Sequence, residues 1–440
     1  MSKKNNELTD NCFPKGRIDR VIAPIHRFLH VETTSGVVLI IATILALFWA
    51  NFAGQSYFSL WETPLGISIG SFEFYRSLHW WVNDALMALF FFVIGLEVKG
   101  EIVNGELKNP KTASLPIIAA VGGMIVPALI YLILCPPGTS AGWGVSVATD
   151  IAFVVGCMAI LGSKVPRGLR VMILTLAIAD DIGAIIVIAV GYSSAIDGDY
   201  LLIALGLLAL THFFFKIGIR NLIVHILLGL LIWFTFVHSG IHPTLAGVAL
   251  GLLTPGVPWV NKGAINQYVL DIGNFLAGEP GRDIEEEYQV YRKLQKYSSE
   301  SVSMQERLLH ILHPWVSYTV MPLFALANAG VIIKMDLLSG VTLAIALGLF
   351  IGKPLGIFLF SFAAVKLKLA RLPSGVSFKT LLGGGVLAGI GFTMSLFVSE
   401  LAFASTRSLL DGAKMGVLIG SFVSALVGML IISIVKKPSE

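Results

Sequence analysis

The chain has 440 residues, 55% of them hydrophobic and only 13% charged, with a formal net charge of +4 and a mean hydropathy of +0.82. A soluble protein of this length carries about twice that share of charge, so a soluble globular fold is excluded. The apolar residues run unbroken over membrane-spanning lengths rather than alternating with polar ones, which also excludes a β-barrel and leaves an all-α polytopic membrane protein.

In chain order, the amino-terminal segment 1–31 is polar and carries Lys3, Lys4, Lys15, Arg17, Arg20 and Arg27. No cleavage site follows the first apolar run, 36–50, so that run reads as a spanning helix and not a removed signal peptide. Next comes GISIGSFEF, residues 66–74, whose period-two alternation about Gly70-Ser71 predicts a β-hairpin outside the membrane. Its edges can pair with a second copy of the chain or lie on their own protein, and edge-strand physics favours neither. Apolar runs near 80–99, 114–135, 142–163, 169–192, 200–215, 221–236 and 240–254 complete eight predicted helices within residues 32–255.

A polar insertion, 256–306, follows. In it residues 283–297 place Tyr288, Tyr291 and Leu294 at helical spacing, acids first and bases last, an order that complements the helix dipole. Four further runs, near 311–333, 341–365, 380–403 and 412–435, fill residues 307–435 and leave a short tail, 436–440. The expected total is twelve spans. Alternating them from a cytoplasmic amino terminus puts 26 of the 31 basic residues on the cytoplasmic side, tail included. Only Arg76, Lys334, Arg407 and Lys414 fall on the other side, and Lys353 remains within a span. Charges so placed orient a membrane protein and offer nucleic acid no patch. Cys12, Cys135 and Cys157 lack metal-ligand spacing and read as small hydrophobes.

Three spans near 114, 142 and 169 match three near 341, 380 and 412 with opposite orientation, which predicts two inverted-topology repeats. The middle member of each is unusual. One, GWGVSVATDIAFVVG, buries Thr149-Asp150; the other, GGGVLAGIGFTMS, has five glycines before Thr393 and Ser395. Interrupted helices at matching positions of inverted halves point to an ion site at the midplane.

Four ionisable residues sit deep in apolar surroundings: Asp150, Asp180, Asp181 and Lys353. An acid at the centre of a span costs roughly 2.5–3.5 kcal/mol, so each needs a partner, a proton or an ion. Adjacent helical residues point about 100° apart, so Asp180 and Asp181 face different neighbours. The economical arrangement gives one to Asp150 and a cation and the other to Lys353. A carboxylate site that takes a proton or a small hard cation, but not both, is an exchanger, and oxygen ligands suit Na⁺ or Li⁺.

The motifs ATDIAF (148–153), AIADDIGA (177–184), HPWV (313–316), LFALANAG (323–330), IGKPLG (351–356) and GIGFTMS (389–395) together resemble the bacterial NhaA-type sodium/proton antiporters over about residues 31–255 and 306–435. Broken helices of inverted repeats belong to that family's architecture, so the repeat reading and the resemblance are not independent. The resemblance implies an ion-binding pair Asp181 and Asp150, the metal ligands for Na⁺ or Li⁺, with Thr149 adjacent, and Asp180 paired with Lys353. It further implies electrogenic Na⁺ or Li⁺ export driven by proton entry, alkaline activation, no cofactor, no enzymatic activity, a bacterial inner-membrane location with both termini cytoplasmic, and a homodimer joined through the hairpin.

Gly100, in GLEVKGE, stands where many members of that family have Arg, and the 256–306 insertion is long for it. Glu97, Glu101 and His242 are candidates for pH response by resemblance; an ordinary helix end or a packed histidine explains them as well. Asp84, after Asn83, reads as a funnel acid or more cheaply as a helix-start residue. His310 and His313 lack a third metal ligand. Two rival functions remain. A Na⁺-coupled symporter of an organic solute needs anion donors that are scarce here, and an intramembrane aspartyl protease lacks a GxGD sequence.

Overall fold

A computed structural model describes residues 32–70, 72–193, 196–277, 284–333 and 340–435. The segment 1–31, the tail 436–440 and residues 278–283 of the insertion lie outside the described residues. In the bilayer every backbone polar group must be satisfied within its own segment, and the apolar runs accordingly fold as helices. They are α1 (Glu32–Phe52), α2 (Gly54–Glu62), α3 (Met87–Val103), α4 (Pro110–Leu134), α5 (Ile151–Leu161), α6 (Arg167–Gly191), α7 (Gly198–Lys216), α8 (Leu222–Ser239) and α9 (Thr244–Leu253). The insertion forms α10 (Lys262–Ala277) and α11 (Ile284–Glu300). Then come α12 (Met304–Trp315), α13 (Met321–Asn328), α14 (Gly340–Leu347), α15 (Lys353–Lys366), α16 (Phe378–Ala388), α17 (Phe392–Phe403) and α18 (Arg407–Ile434).

Among the described residues, eight helical runs are long and apolar enough to cross a membrane, or nine if α16 and α17, bent by 48° at their break, count as one. Length and apolarity alone therefore give fewer spans than the expected twelve. The difference lies in three runs. Apolar α9 has only 10 residues. The other two contain widened π turns, Trp81–Leu86 ahead of α3 and Val316–Val320 between α12 and α13. A third such turn, Gly348–Gly352, links α14 to α15 and ends at Lys353. Turns of this type mark functional positions in many helices.

The predicted hairpin is present as β1 (Pro64–Ile69) and β2 (Phe72–Ser77), antiparallel, with Pro64 opposite Ser77 and Ile69 opposite Phe72. It rests on its own protein through Phe74, packed against Trp80, Trp81 and Phe234, and through the Trp81 indole, which donates to the Leu65 carbonyl at 2.9 Å. Leu65, Ile67 and Tyr75 remain exposed.

Two of the close helix contacts run from glycine to glycine. Gly251 of α9 faces Gly95 of α3, and Gly356 of α15 faces the Gly122 carbonyl of α4. Helices packed in lipid gain from such contact because small residues let backbones meet. The second pair fixes the height of Lys353, one turn before Gly356.

Candidate cation site

The site is built at two broken helices. A 3₁₀ turn, Ser140–Ser146, and α5 are separated by residues 147–150, and α16 and α17 by residues 389–391. The breaks meet, since the Asp150 N–H donates to the Ile390 carbonyl at 2.7 Å. A broken helix leaves free N–H and C=O groups in apolar surroundings, which side chains must satisfy. Asp150 is the N-cap of α5: its Oδ1 accepts the Phe153 N–H at 3.2 Å. Its Oδ2 accepts the Thr393 N–H at 3.1 Å and the Thr393 hydroxyl at 2.5 Å. One carboxylate thus caps two helices.

Asp180 and Asp181 lie on α6 and point to different neighbours. Asp180 is 0% exposed; its Oδ2 lies 2.5 Å from Lys353 Nζ and accepts the Thr149 hydroxyl at 2.6 Å. The Lys353 ammonium, also fully buried, donates to the Val147 carbonyl at the first break. Asp180 is therefore committed to holding the broken segment and α15 together.

Asp181 is different. Among the described residues no protein group donates a hydrogen bond to its carboxylate. It lines a cavity of about 390 Å³ together with Thr149, Asp150, Thr393 and Met394. The half-exposed His313 of α12, with Glu97 and Glu101 at the end of α3, stands at the outer end of that cavity, its mouth, and Gly100 and the buried Gln305 lie behind them. The cavity opens on the face opposite the hairpin, because α3 begins beside the hairpin and ends at the mouth. Carboxylate and hydroxyl oxygens gathered round an unpartnered acid form a donor set for a small hard cation or a proton.

Of the remaining sequence candidates, Glu97 lies 3.8 Å from His313 Nε2, and Glu101 accepts the Glu106 N–H at 2.9 Å. The space beside Gly100 is filled by Gln305, which is buried and donates to the Leu96 carbonyl at 2.9 Å. A Cβ on residue 100 would lie 2.7 Å from the Gln305 amide nitrogen. His242 is remote from the mouth, in the turn between α8 and α9 that Gly240 opens with φ of 78°. It lies 3.8 Å from Asp84, and burial pushes its pKa down to about 4, so the ring is neutral at pH 6 and above.

On the hairpin side the site is closed. Phe397 packs against Phe91 (ring centroids 5.5 Å apart) and Phe324 (6.3 Å), all three 0% exposed. Beyond it Glu400 pairs with Lys414 at 2.6 Å and with His79 at 3.5 Å, while Asn83 and Asn328 exchange amide hydrogen bonds of 2.7 and 3.2 Å. Neither Glu400 nor the three phenylalanines stand out by residue type. Spacing is the signal: Thr393, Phe397 and Glu400 recur at i, i+4 and i+7, one face of α17.

Comparison with known proteins identifies the family. The sequence profile of the family described as Na⁺/H⁺ antiporter 1 matches residues 26–432. The chain belongs to this family. A relative from Rhodopirellula baltica named Na(+)/H(+) antiporter NhaA is 50% identical over 429 residues, covering 96% of this chain and 97% of its own. One of the same name from Rhizobium meliloti is 45% identical over 438 residues, covering 97% and 98%. Na(+)/H(+) antiporter NhaA 2 of Vibrio vulnificus is 44% identical over 440 residues, covering 98% and 97%. The Na⁺/H⁺ antiporter family thus spans both halves of the membrane part, the hairpin and the insertion between them.

Proposed function

We propose that this protein exchanges cytoplasmic Na⁺ or Li⁺ for external protons across a bacterial inner membrane, moving ions and transforming no substrate. The observation that carries the reading is Asp181, a buried carboxylate that no protein group satisfies, in a cavity shared with Asp150 and open to one face. A bare carboxylate there is costly, and either a proton or a cation relieves the cost. The two cargoes compete, so each displaces the other. Asp150 and Asp181 supply charged oxygen, with Thr149 beside them, while the Asp180–Lys353 pair holds the frame. Both termini lie in the cytoplasm, the cavity faces it, and exchange is electrogenic and activated at alkaline pH. Two copies associate through the exposed side of the hairpin. Among the residues lining the cavity there is no Lys or Arg to hold an organic anion, which weighs against solute symport.

Everted membrane vesicles energised to an acid interior test the reading. Added Na⁺ collapses the proton gradient above neutral pH, and K⁺ does so far less. Asp181→Asn and Asp150→Asn each abolish the Na⁺ signal while the protein still inserts. No response of the wild type to Na⁺ between pH 7 and about 9 rejects the exchanger, because a competing carboxylate site must act in that range; full exchange in both variants rejects the site.

A further inference from the structure

The helix ends at the crossing are held by the acids, by Lys353, by Thr149, whose hydroxyl donates to the Ala388 carbonyl at 2.9 Å, and by one side chain outside the candidate set. Val147 accepts from Lys353, Ile390 accepts from Asp150, and the N–H groups of Phe153 and Thr393 go to the two Asp150 oxygens. That leaves Gly391 and Phe392 at the start of α17. Both N–H groups donate to one acceptor, the hydroxyl oxygen of Ser421 on α18, each at 3.2 Å. Ser421 is 5% exposed.

We propose that Ser421 is a positioning residue for cation binding: by holding the Gly391 and Phe392 N–H groups it spares the Asp150 carboxylate, which already accepts from Phe153 and Thr393, any further hydrogen bond from the start of α17. The start of a helix carries a partial positive charge concentrated in its free N–H groups. At the start of α17 that charge is divided between a neutral hydroxyl and Asp150. Without the hydroxyl, two buried donors lose their acceptor, and the anionic acceptor already bonded to the next N–H is Asp150. Each hydrogen bond Asp150 gains is a lone pair withdrawn from a cation, and the uncompensated helix end repels that cation directly. Ser421 thus acts through Asp150 and does not touch the cargo.

This rests on the reading of Asp150 and Asp181 as the Na⁺ site, and the test separates the two. Ser424 lies one turn further along α18, is 0% exposed, and its hydroxyl has no hydrogen-bond partner among the described residues. It provides a deletion of the same size without a lost helix cap. Na⁺-induced collapse of the proton gradient is measured in everted vesicles over a range of Na⁺ concentrations, for the wild type, Ser421→Ala, Ser421→Thr and Ser424→Ala. Ser421→Ala raises the apparent KM for Na⁺ about tenfold and leaves the maximal rate within about twofold, the cost of orphaned buried donors falling on the cation-bound state. Ser421→Thr restores the wild-type KM, and Ser424→Ala never departs from it. An unchanged KM in Ser421→Ala, or an equal rise in Ser424→Ala, overturns the inference while exchange itself stands. Absence of Na⁺ exchange in the wild type removes the site reading and the inference together. Should Ser421→Ala fail to accumulate, Ser421→Cys, whose sulfur is a poor acceptor, is read the same way: a raised KM supports the role, and a wild-type KM overturns it.

Discussion

Replacing Lys353 by alanine removes the ammonium shared by Asp180 and the Val147 carbonyl, both buried. Breaking a buried pair by deleting one partner costs about 3–5 kcal/mol, because the surviving charge stays behind. Lys353→Ala therefore lowers the melting temperature of purified protein, and an unchanged melting curve contradicts the structural role given to the pair. His242 allows a second prediction at this scale, with a defined sign. Its pKa falls from 6.5 to about 4 on burial, so between these values the unfolded chain binds more protons than the folded one. The stability it contributes is present above about pH 6.5 and is lost as the pH drops toward 4, by up to about 3 kcal/mol. Acid melting of wild type against His242→Asn measures this: the wild type loses more stability between pH 7 and 4. The same neutrality predicts that His242→Asn leaves the pH profile of exchange between 7 and 9 unchanged, since the ring carries no charge there to lose.

At the scale of elements, the packing of α15 against α4 sets where Lys353 stands. Gly356 faces the Gly122 carbonyl so closely that a methyl group forces the helices apart. Gly356→Ala is expected to cost about 1–3 kcal/mol as overpacking and to impair exchange through the displaced Lys353. Gly206→Ala on α7, where an added Cβ meets nothing within 4 Å, leaves both melting and exchange unchanged. Melting and vesicle exchange on these two variants check the claim. The site's acids were legible in the sequence because charge in oil is costly and so stands out, and the second helix break because five glycines precede Thr393. The hairpin was legible from period-two alternation. Other features have no such signature. Apolar α9 is ten residues inside a longer apolar run, and it is bounded by Pro243 at its start and by Thr254, ahead of Pro255, at its end rather than by hydropathy. Phe91, Phe324 and Phe397 are three among 27 phenylalanines, and only the fold brings their rings together.

For the molecule as a whole, a cavity reaches Asp181 from one side and packed rings lie on the hairpin side, an asymmetry that the exchange proposed above would have to reverse in each cycle. The cavity runs from Asp181 to Glu97 and Gln305, and on the other side of the site lie the Phe397 rings and then the paired Glu400, Lys414 and His79. A buried polar cluster is all-or-none, because a half-satisfied one is worse than none, so it suits a closure that would have to break completely for the proposed exchange to reach the hairpin side. If Phe397 is what separates the site from the hairpin side, shortening it admits a small polar reagent. Met394 lines the cavity one turn before Phe397, and Cys135 and Cys157 are free thiols whose replacement by Ser, with that of Cys12, gives a silent background. In that background Met394→Cys should resist a membrane-impermeant thiol reagent added on the hairpin side and react with it from the opposite side. Adding Phe397→Ala should make the thiol reactive from both sides, and Glu400→Gln, which strips the charge that holds Lys414, should do so in part. Labelling from the hairpin side with Phe397 intact would place the barrier elsewhere. Protection that persists in Phe397→Ala would mean that the Glu400 cluster alone keeps water out, and the double variant with Glu400→Gln then opens the path.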